Sequence, residues 1–168
     1  MSIAETLLPE FDHEMASTRR ILEIVPAADA AWRPHPKSTT LGDLAAHVSR
    51  IPMWGRYTLQ QTELDLGLPE NAALATAAFT TTADLLERFD RNVRETREVL
   101  AATPDSEMAK TWTLKKAGAV MFSMPRAAVI RAFVLSHMIH HRGQLSVYLR
   151  LRDVPLPSLY GPTADNPR

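Results

Sequence analysis

"SHMIHHRGQLSVYLRL", residues 136–151, places three of the chain's six histidines within five positions of a segment whose apolar residues recur at helical spacing. At about 100° per residue, His137 and His141 stand about 40° apart, one turn above the other. Ile130, Val134, Leu145 and Tyr148 share their sector, so both imidazoles lie on the core-facing side of a fourth helix running from Pro125 to about Arg152. His140 falls roughly 60° to the other side of His137, at the edge of the stripe. Arg142 points about 100° away from it, which suits a salt bridge or a subunit contact. On the far side Ala132, Ser136 and Gly143 form a narrow arc beside Leu135 and Ile139. A glycine within a helix costs roughly 1 kcal/mol against alanine, so a close approach is expected there, either by another helix of the same bundle or by a second copy of the chain.

The same geometry applied upstream groups His47 with Leu44, Ile51, Trp54 and Thr58 on the buried face of a second helix, Leu41 to about Glu63. Thr40 followed by Asp43 caps its start, and Pro52 inside it should kink it beside Val48, where a backbone donor is missing. Three imidazoles then point inward from two helices. A buried polar group without a partner costs about 1–3 kcal/mol, so three together need a common solution. One is a divalent ion: histidines at i and i+4 offer nitrogens to one cation, and a third from a facing helix leaves positions open for water or substrate. Zinc, nickel or another imidazole-preferring ion fits such a set. The other is three core histidines hydrogen-bonded to carbonyls or water.

Around these two helices the pattern is regular. Leu8, Phe11, Met15, Leu22 and Val25 define helix one, about Ala4 to Val25, and Leu86, Phe89, Val93, Thr96 and Leu100 define helix three, about Thr82 to Ala102. "RFDRNVRETRE", residues 88–98, mixes charge signs as a solvated face does. Residues 64–80 are too long for a tight turn and imply a crossover along the bundle. "TWTL" and "AVMFSM" around "KKAG", within 111–124, are placed to form a short β-hairpin between helices three and four, and the proline-rich end from Asp153 is not helical. The expected fold is an all-α four-helix bundle with long connections, residues 1–168 forming one domain.

Composition removes several function classes. With 19 basic and 19 acidic side chains the net charge is zero, so no electrostatic footprint for nucleic acid or an anionic membrane is present. The absence of cysteine excludes disulfides, thiolate metal sites and a cysteine nucleophile, leaving nitrogen and oxygen ligands. No eighteen apolar residues run together and the N-terminus has no basic, apolar leader, so a cytoplasmic protein is expected.

"PHPKSTTLGDLAAHVSRIPMWGRY", residues 34–57, together with "LSHMIHHRGQLSVYLRLRDVPLPSLYGP", residues 135–162, resembles the DinB-like metal-binding helical bundle family, which is distinct from the DNA polymerase of similar name. The likeness runs from helix one to the "PSLYGP" tail, and its most specific part is HxxxHRGQ with an upstream histidine. It implies an up-down-down-up bundle, a divalent ion such as nickel or zinc held by His47, His137 and His141, and a homodimer. His140 falls outside that set. The wider superfamily includes metal-dependent transferases and isomerases that use low-molecular-weight thiols, alongside members without an established activity. A three-histidine ion with open positions can lower the pKa of a bound thiol, or of water for hydrolysis. The expected function is therefore a metal-dependent, thiol-dependent transferase acting on a small molecule, or else a non-catalytic, stress-associated metal-binding dimer. Gln144 is placed to hydrogen-bond a ligand imidazole, Trp54 and Tyr148 read as core residues, and His35 sits in the loop before helix two.

Overall fold

Four long helices and a three-stranded sheet make up the structure, a computed structural model that describes residues 1–75 and 78–167. The helices are α1 (Ile3–Glu23), α2 (Leu41–Gln60), α3 (Thr82–Ala102) and α4, residues 126–150. The first three each start on a side-chain cap. Ser2 Oγ accepts from the Glu5 amide at 3.1 Å while Glu5 Oε2 accepts from the Ser2 amide at 2.7 Å, a reciprocal box that "SIAE" announces. Thr40 and Thr81 accept from the amides of Asp43 and Asp84, each at 3.1 Å, satisfying donors that a helix start leaves unpaired.

Side-chain pairs fix the direction of each helix. Asp12 with Arg97 and Arg19 with Asp90 set α1 antiparallel to α3, whereas Glu10 with Arg131 and Glu14 with Arg142 set α1 parallel to α4. Ser49 with Asn92 and Pro52 with Thr96 make α2 parallel to α3. The bundle is thus up-down-down-up, and a parallel α2–α3 pair requires the long crossover that the sequence predicts over 64–80. That crossover carries helical turns at Pro69–Asn71 and Ala72–Ala75; Thr76 and Ala77 within it lie outside the described residues. Phe11, Ile21, Leu41, Ile51, Phe89 and Leu145, from all four helices, are fully or almost fully buried in one core. No helix among the described residues is long and apolar enough to cross a membrane.

The sheet consists of β1 (Glu63–Asp65), β2 (Thr111–Lys116) and β3 (Ala119–Pro125) in that order. The predicted hairpin is β2–β3, closed by Ala117 and Gly118 at φ 50° and 79°, the paired left-handed conformation that a two-residue hairpin loop needs. Asp65 holds that turn, accepting from the amides of Ala117 at 2.8 Å and Gly118 at 2.7 Å. Two boundaries differ from the sequence expectation. Helix two stops at Gln60 rather than Glu63, because Glu63–Asp65 pair in parallel with Thr113–Lys115 and bury Leu64 against Trp112 and Leu114. Pro125 ends β3 opposite Thr111 and stands at the N-cap of α4, one residue before its first turn.

Within α4, residues Ile130–Ser136 form π-helical turns between α-helical Arg126–Val129 and His137–Arg150. The far side of α4 is free. Ala132, Ser136 and Gly143 are exposed, and among the described residues a Cβ added at Gly143 would meet nothing within 4 Å, so the close approach expected from another helix of the bundle is not found there. The "RFDRNVRETRE" face is less solvated than its charges suggest: Asn92 and Thr96 are buried, and Asp90, Glu95 and Arg97 pair with Arg19, Arg56 and Asp12.

Close approach occurs instead between α2 and α3. Pro52 lacks the amide that would serve the Val48 carbonyl, and nearby carbonyls are taken from α3: Asn92 Nδ2 donates to Ser49 O at 3.1 Å and Thr96 Oγ1 to Pro52 O at 2.7 Å. A Cβ at Gly55 would fall 2.5 Å from Thr96 Cγ2. Gly55→Ala should therefore destabilise the fold by about 1–3 kcal/mol through overpacking. In a double-mutant cycle by urea denaturation, Thr96→Ser, which deletes only Cγ2, should recover much of that loss; additive effects would refute the clash.

Candidate metal centre

Antiparallel packing of α2 on α4 brings His47 against His137 and His141. The Nε2 atoms of His47 and His137 are 3.3 Å apart, those of His137 and His141 2.8 Å, and one ligand nitrogen from each ring lies within 4.8 Å of the others. His140, expected at the margin, is exposed and only packs its ring edgewise on His141, with 4.9 Å between centroids. His35 stays in its loop, where its Nδ1 accepts from the Lys37 amide at 3.1 Å.

The rings are oriented from behind. His137 Nδ1–H donates to the Phe133 carbonyl at 3.3 Å, and His141 Nδ1–H donates to Gln144 Oε1 at 2.7 Å. Both acceptors require the proton on Nδ1, which leaves Nε2 of each ring as a bare lone pair aimed at the other. Those two Nε2 atoms cannot hydrogen-bond to each other without an added proton, and a cation between them removes the repulsion. Two nitrogens bound to one tetrahedral zinc at about 2.05 Å stand about 3.3 Å apart, close to the His47–His137 spacing. The donor set present thus fits a divalent ion.

Burial sets the charge. It pushes His47 down to about 4, reinforced by His141, His137 and Arg50. It likewise holds His137 below the usual imidazole range, with His141 adding to it, and does the same to His141, with His140 adding to it. All three rings are therefore free bases near neutrality, which is the form that ligates.

The triad forms a wall between two cavities. On one side a space of about 530 Å³ is lined by Ser38, Thr39, Asp43, His141, Gln144 and Tyr148, besides His47 and His137. On the other, about 170 Å³ is lined by Trp54, Trp112, Leu114, Phe122 and Phe133, again with His47 and His137. Trp54 and Tyr148, read as core residues, pack half-buried against the core and also line these cavities. Sequence reasoning missed Trp112, Phe122 and Phe133. The alternation in "TWTL" marks Trp112 as inward, but nothing local says that the hairpin leans on the histidines.

Arg142, next to His141, forms the ion pair that its direction suggests. It is 2% exposed, with Nη2 2.7 Å from Glu14 Oε2, and it donates to Glu14 O at 3.1 Å and to Tyr160 Oη at 2.8 Å. Tyr160 Oη in turn donates to Glu14 Oε1 at 2.6 Å, so the "PSLYGP" tail closes the network that pins α4 to α1.

The depressed His47 has a pH consequence. Between the ordinary imidazole value of 6.5 and about 4, the unfolded chain binds a proton at His47 that the folded chain does not. The metal-free protein should lose stability as pH falls through that window and show no further change from this residue below it. Urea midpoints of chelator-treated wild type against His47→Gln across pH 4–7 should diverge; parallel curves would show that His47 is not desolvated.

A profile of the DinB superfamily matches residues 10–145. No curated protein matches the chain. Solved structures that share the fold include three DinB-like proteins. A DinB-like protein from Bacillus subtilis is 16% identical at a TM-score of 0.68, the match covering 97% of this chain and 99% of that one. A protein assigned to the DinB family from Exiguobacterium sibiricum is 18% identical at 0.68, covering 94% and 97%. A DinB-like protein from Bacillus cereus is 19% identical at 0.69, covering 93% and 97%. The helix order, the histidine cluster and the extent of the profile match agree, and the chain belongs to the DinB superfamily.

Proposed function

We propose that this chain binds one divalent ion, nickel or zinc, through His47, His137 and His141, and acts as a metal-dependent transferase with a low-molecular-weight thiol as cosubstrate. The observation that carries the metal reading is the convergence of nitrogens whose ring partners are already engaged: the Nδ1 donors are satisfied by Phe133 O and Gln144 while the Nε2 atoms face one another. An ion with three nitrogen ligands and open positions supplies Lewis acidity that makes a bound thiol acidic near neutrality. The chain's own groups do the rest. Gln144 and the Phe133 carbonyl hold the rings in place, Ser38, Thr39 and Asp43 offer hydrogen bonds to a polar cosubstrate, and the aromatic cavity keeps water from the opposite side. The cysteine-free sequence fits a thiol that arrives from outside.

Elemental analysis of untagged protein should give one nickel or zinc per chain, falling below a tenth in His137→Ala. Thiol-dependent turnover of small electrophiles should disappear in the same variant while its helical circular dichroism persists. Protein that carries no stoichiometric metal would end the metal reading; metal without turnover would end the transferase reading alone.

A second reading has its own support, since the three ligands join α2 to α4 and an ion there would staple the two helices. On that reading an ion at 100 times its Kd adds about 2.7 kcal/mol of stability, which chelation removes as a lowered Tm. A melt unchanged by chelation counts against it.

We further propose a homodimer formed through the open face of α4. There Gly143 carries its helix penalty without a contact in this chain, and Val147 and Leu151 are 57% and 55% exposed. Val147→Arg should convert a dimer to monomer in sedimentation velocity; wild type that sediments as a monomer at 100 μM rejects the assignment.

A further inference from the structure

The cavity on the hairpin side of the histidines is small, apolar and bounded by rings. Its volume is about 170 Å³, and Trp54, Trp112, Phe122, Phe133 and Val129 are among its walls. The rings of the hairpin and α4 form one surface: Trp112 and Phe122 lie 5.9 Å apart at 49°, and Phe122 stacks on Phe133 at 4.3 Å and 18°. Trp112 and Val129 are each 1% exposed, whereas Phe133 is 37% exposed, so the surface runs from the interior out to solvent at Phe133.

Polar groups hardly reach the space. Among the described residues no lysine, arginine, aspartate or glutamate lines it, so a charged occupant would be desolvated without a counter-charge. Thr58 and Trp112 stand in the wall, but the Thr58 hydroxyl and the Trp112 Nε1–H have essentially no accessible surface and offer nothing to an occupant. The nitrogens of His47 and His137 are turned to each other and to His141, and His137 Nδ1 is taken by the Phe133 carbonyl. An ordered water needs several polar partners, whereas an apolar protein cavity of about 150 Å³ stays dry and takes up benzene. Size and lining together select a neutral, apolar occupant of about one ring.

We propose that this cavity is a subsite for a single-ring apolar group, of the size of benzene or toluene, held by ring contacts alone and seated beside His47 and His137 opposite the polar cavity. The binding rests on the cavity itself. That the same group is the apolar part of the electrophile rests on the transferase reading above, under which the polar cavity receives the thiol and the apolar one admits compact hydrophobic groups.

The test uses chelator-treated full-length protein and two single-ring probes followed by ¹⁹F NMR, fluorobenzene and 4-fluorobenzoate. Fluorobenzene should bind saturably, and 4-fluorobenzoate more weakly by about tenfold or more, because its carboxylate loses water without gaining a counter-charge. In ¹⁵N-labelled protein the three tryptophans give three indole N–H resonances. Ring currents from bound fluorobenzene should move those of Trp54 and Trp112 and leave that of Trp32, which packs edgewise on Tyr148, in place. Val129→Phe fills the space from α4 and Leu66→Phe from the loop after β1. Whichever variant keeps the wild-type circular dichroism should bind fluorobenzene about tenfold more weakly or not at all. Binding that does not saturate, equal affinity for the two probes, a shift of Trp32 in place of Trp54 and Trp112, or a folded filling variant with unchanged affinity overturns the proposal. The protein is free of metal throughout, so this outcome is separate from the failure of the metal or transferase reading.

Discussion

Three neutral imidazoles aimed at one point are an unfavourable arrangement unless something positive lies between them, and much of the structure is organised to produce it. The rings are half-buried, which removes the water that would otherwise solvate the nitrogens and holds them unprotonated. Protonation would relieve the lone-pair contact in solution, but burial makes that expensive. A divalent ion would be one solution, since the nitrogens themselves could replace its hydration shell.

Placing those nitrogens within a few ångströms demands that α2 and α4 keep one register, and each is secured from its far side. The hydrogen bonds from Asn92 and Thr96 fasten α2 to α3 around Pro52, where a proline would otherwise leave carbonyls short of donors. The buried Arg142–Glu14 pair fastens α4 to α1 one residue beyond His141. A buried ion pair is a weak source of net stability but a strong specifier of register, because any slip leaves two uncompensated charges in the core. The hairpin then covers the opening between α2 and α4 and turns what would be a solvent-exposed groove into an aromatic cavity.

How much of this is legible in the sequence depends on whether the cause is local. Helix three begins and ends where its caps and apolar spacing say, and His47, His137 and His141 fall on inward faces because one helical period holds across each segment. The hairpin is legible through its two-residue turn. By contrast, β1 is held by parallel pairing with residues some fifty positions away and by burial of Leu64, so a helical pattern running to Glu63 carries no warning of it. The π-helical turns at Ile130–Ser136 break the constant angular step just before His137, and no residue type in "IRAFVLS" announces them. Gly143 suggests a close approach because the sequence shows its cost, whereas only the structure shows that the space beside it is empty and that the close approach lies at Gly55.

The three donors are not equivalent, and the difference bears on how an ion would enter. His137 and His141 sit one turn apart on the same helix with both rings anchored, one by a backbone carbonyl and one by Gln144, so this pair is set before any ion arrives. Among the described residues nothing hydrogen-bonds to Nδ1 of His47, whose recorded contact is through Nε2 to His137. The contact its ring makes is on the side an ion would occupy, not behind it. A cation would therefore meet a two-nitrogen seat on α4 before the third nitrogen, from α2. Little ordering entropy is lost at the first two contacts, and the adjustment for ions of different size falls on a single side chain. The π-helical turns fit this division, since they supply the Phe133 carbonyl that fixes His137 at the point where α4 leaves its regular geometry.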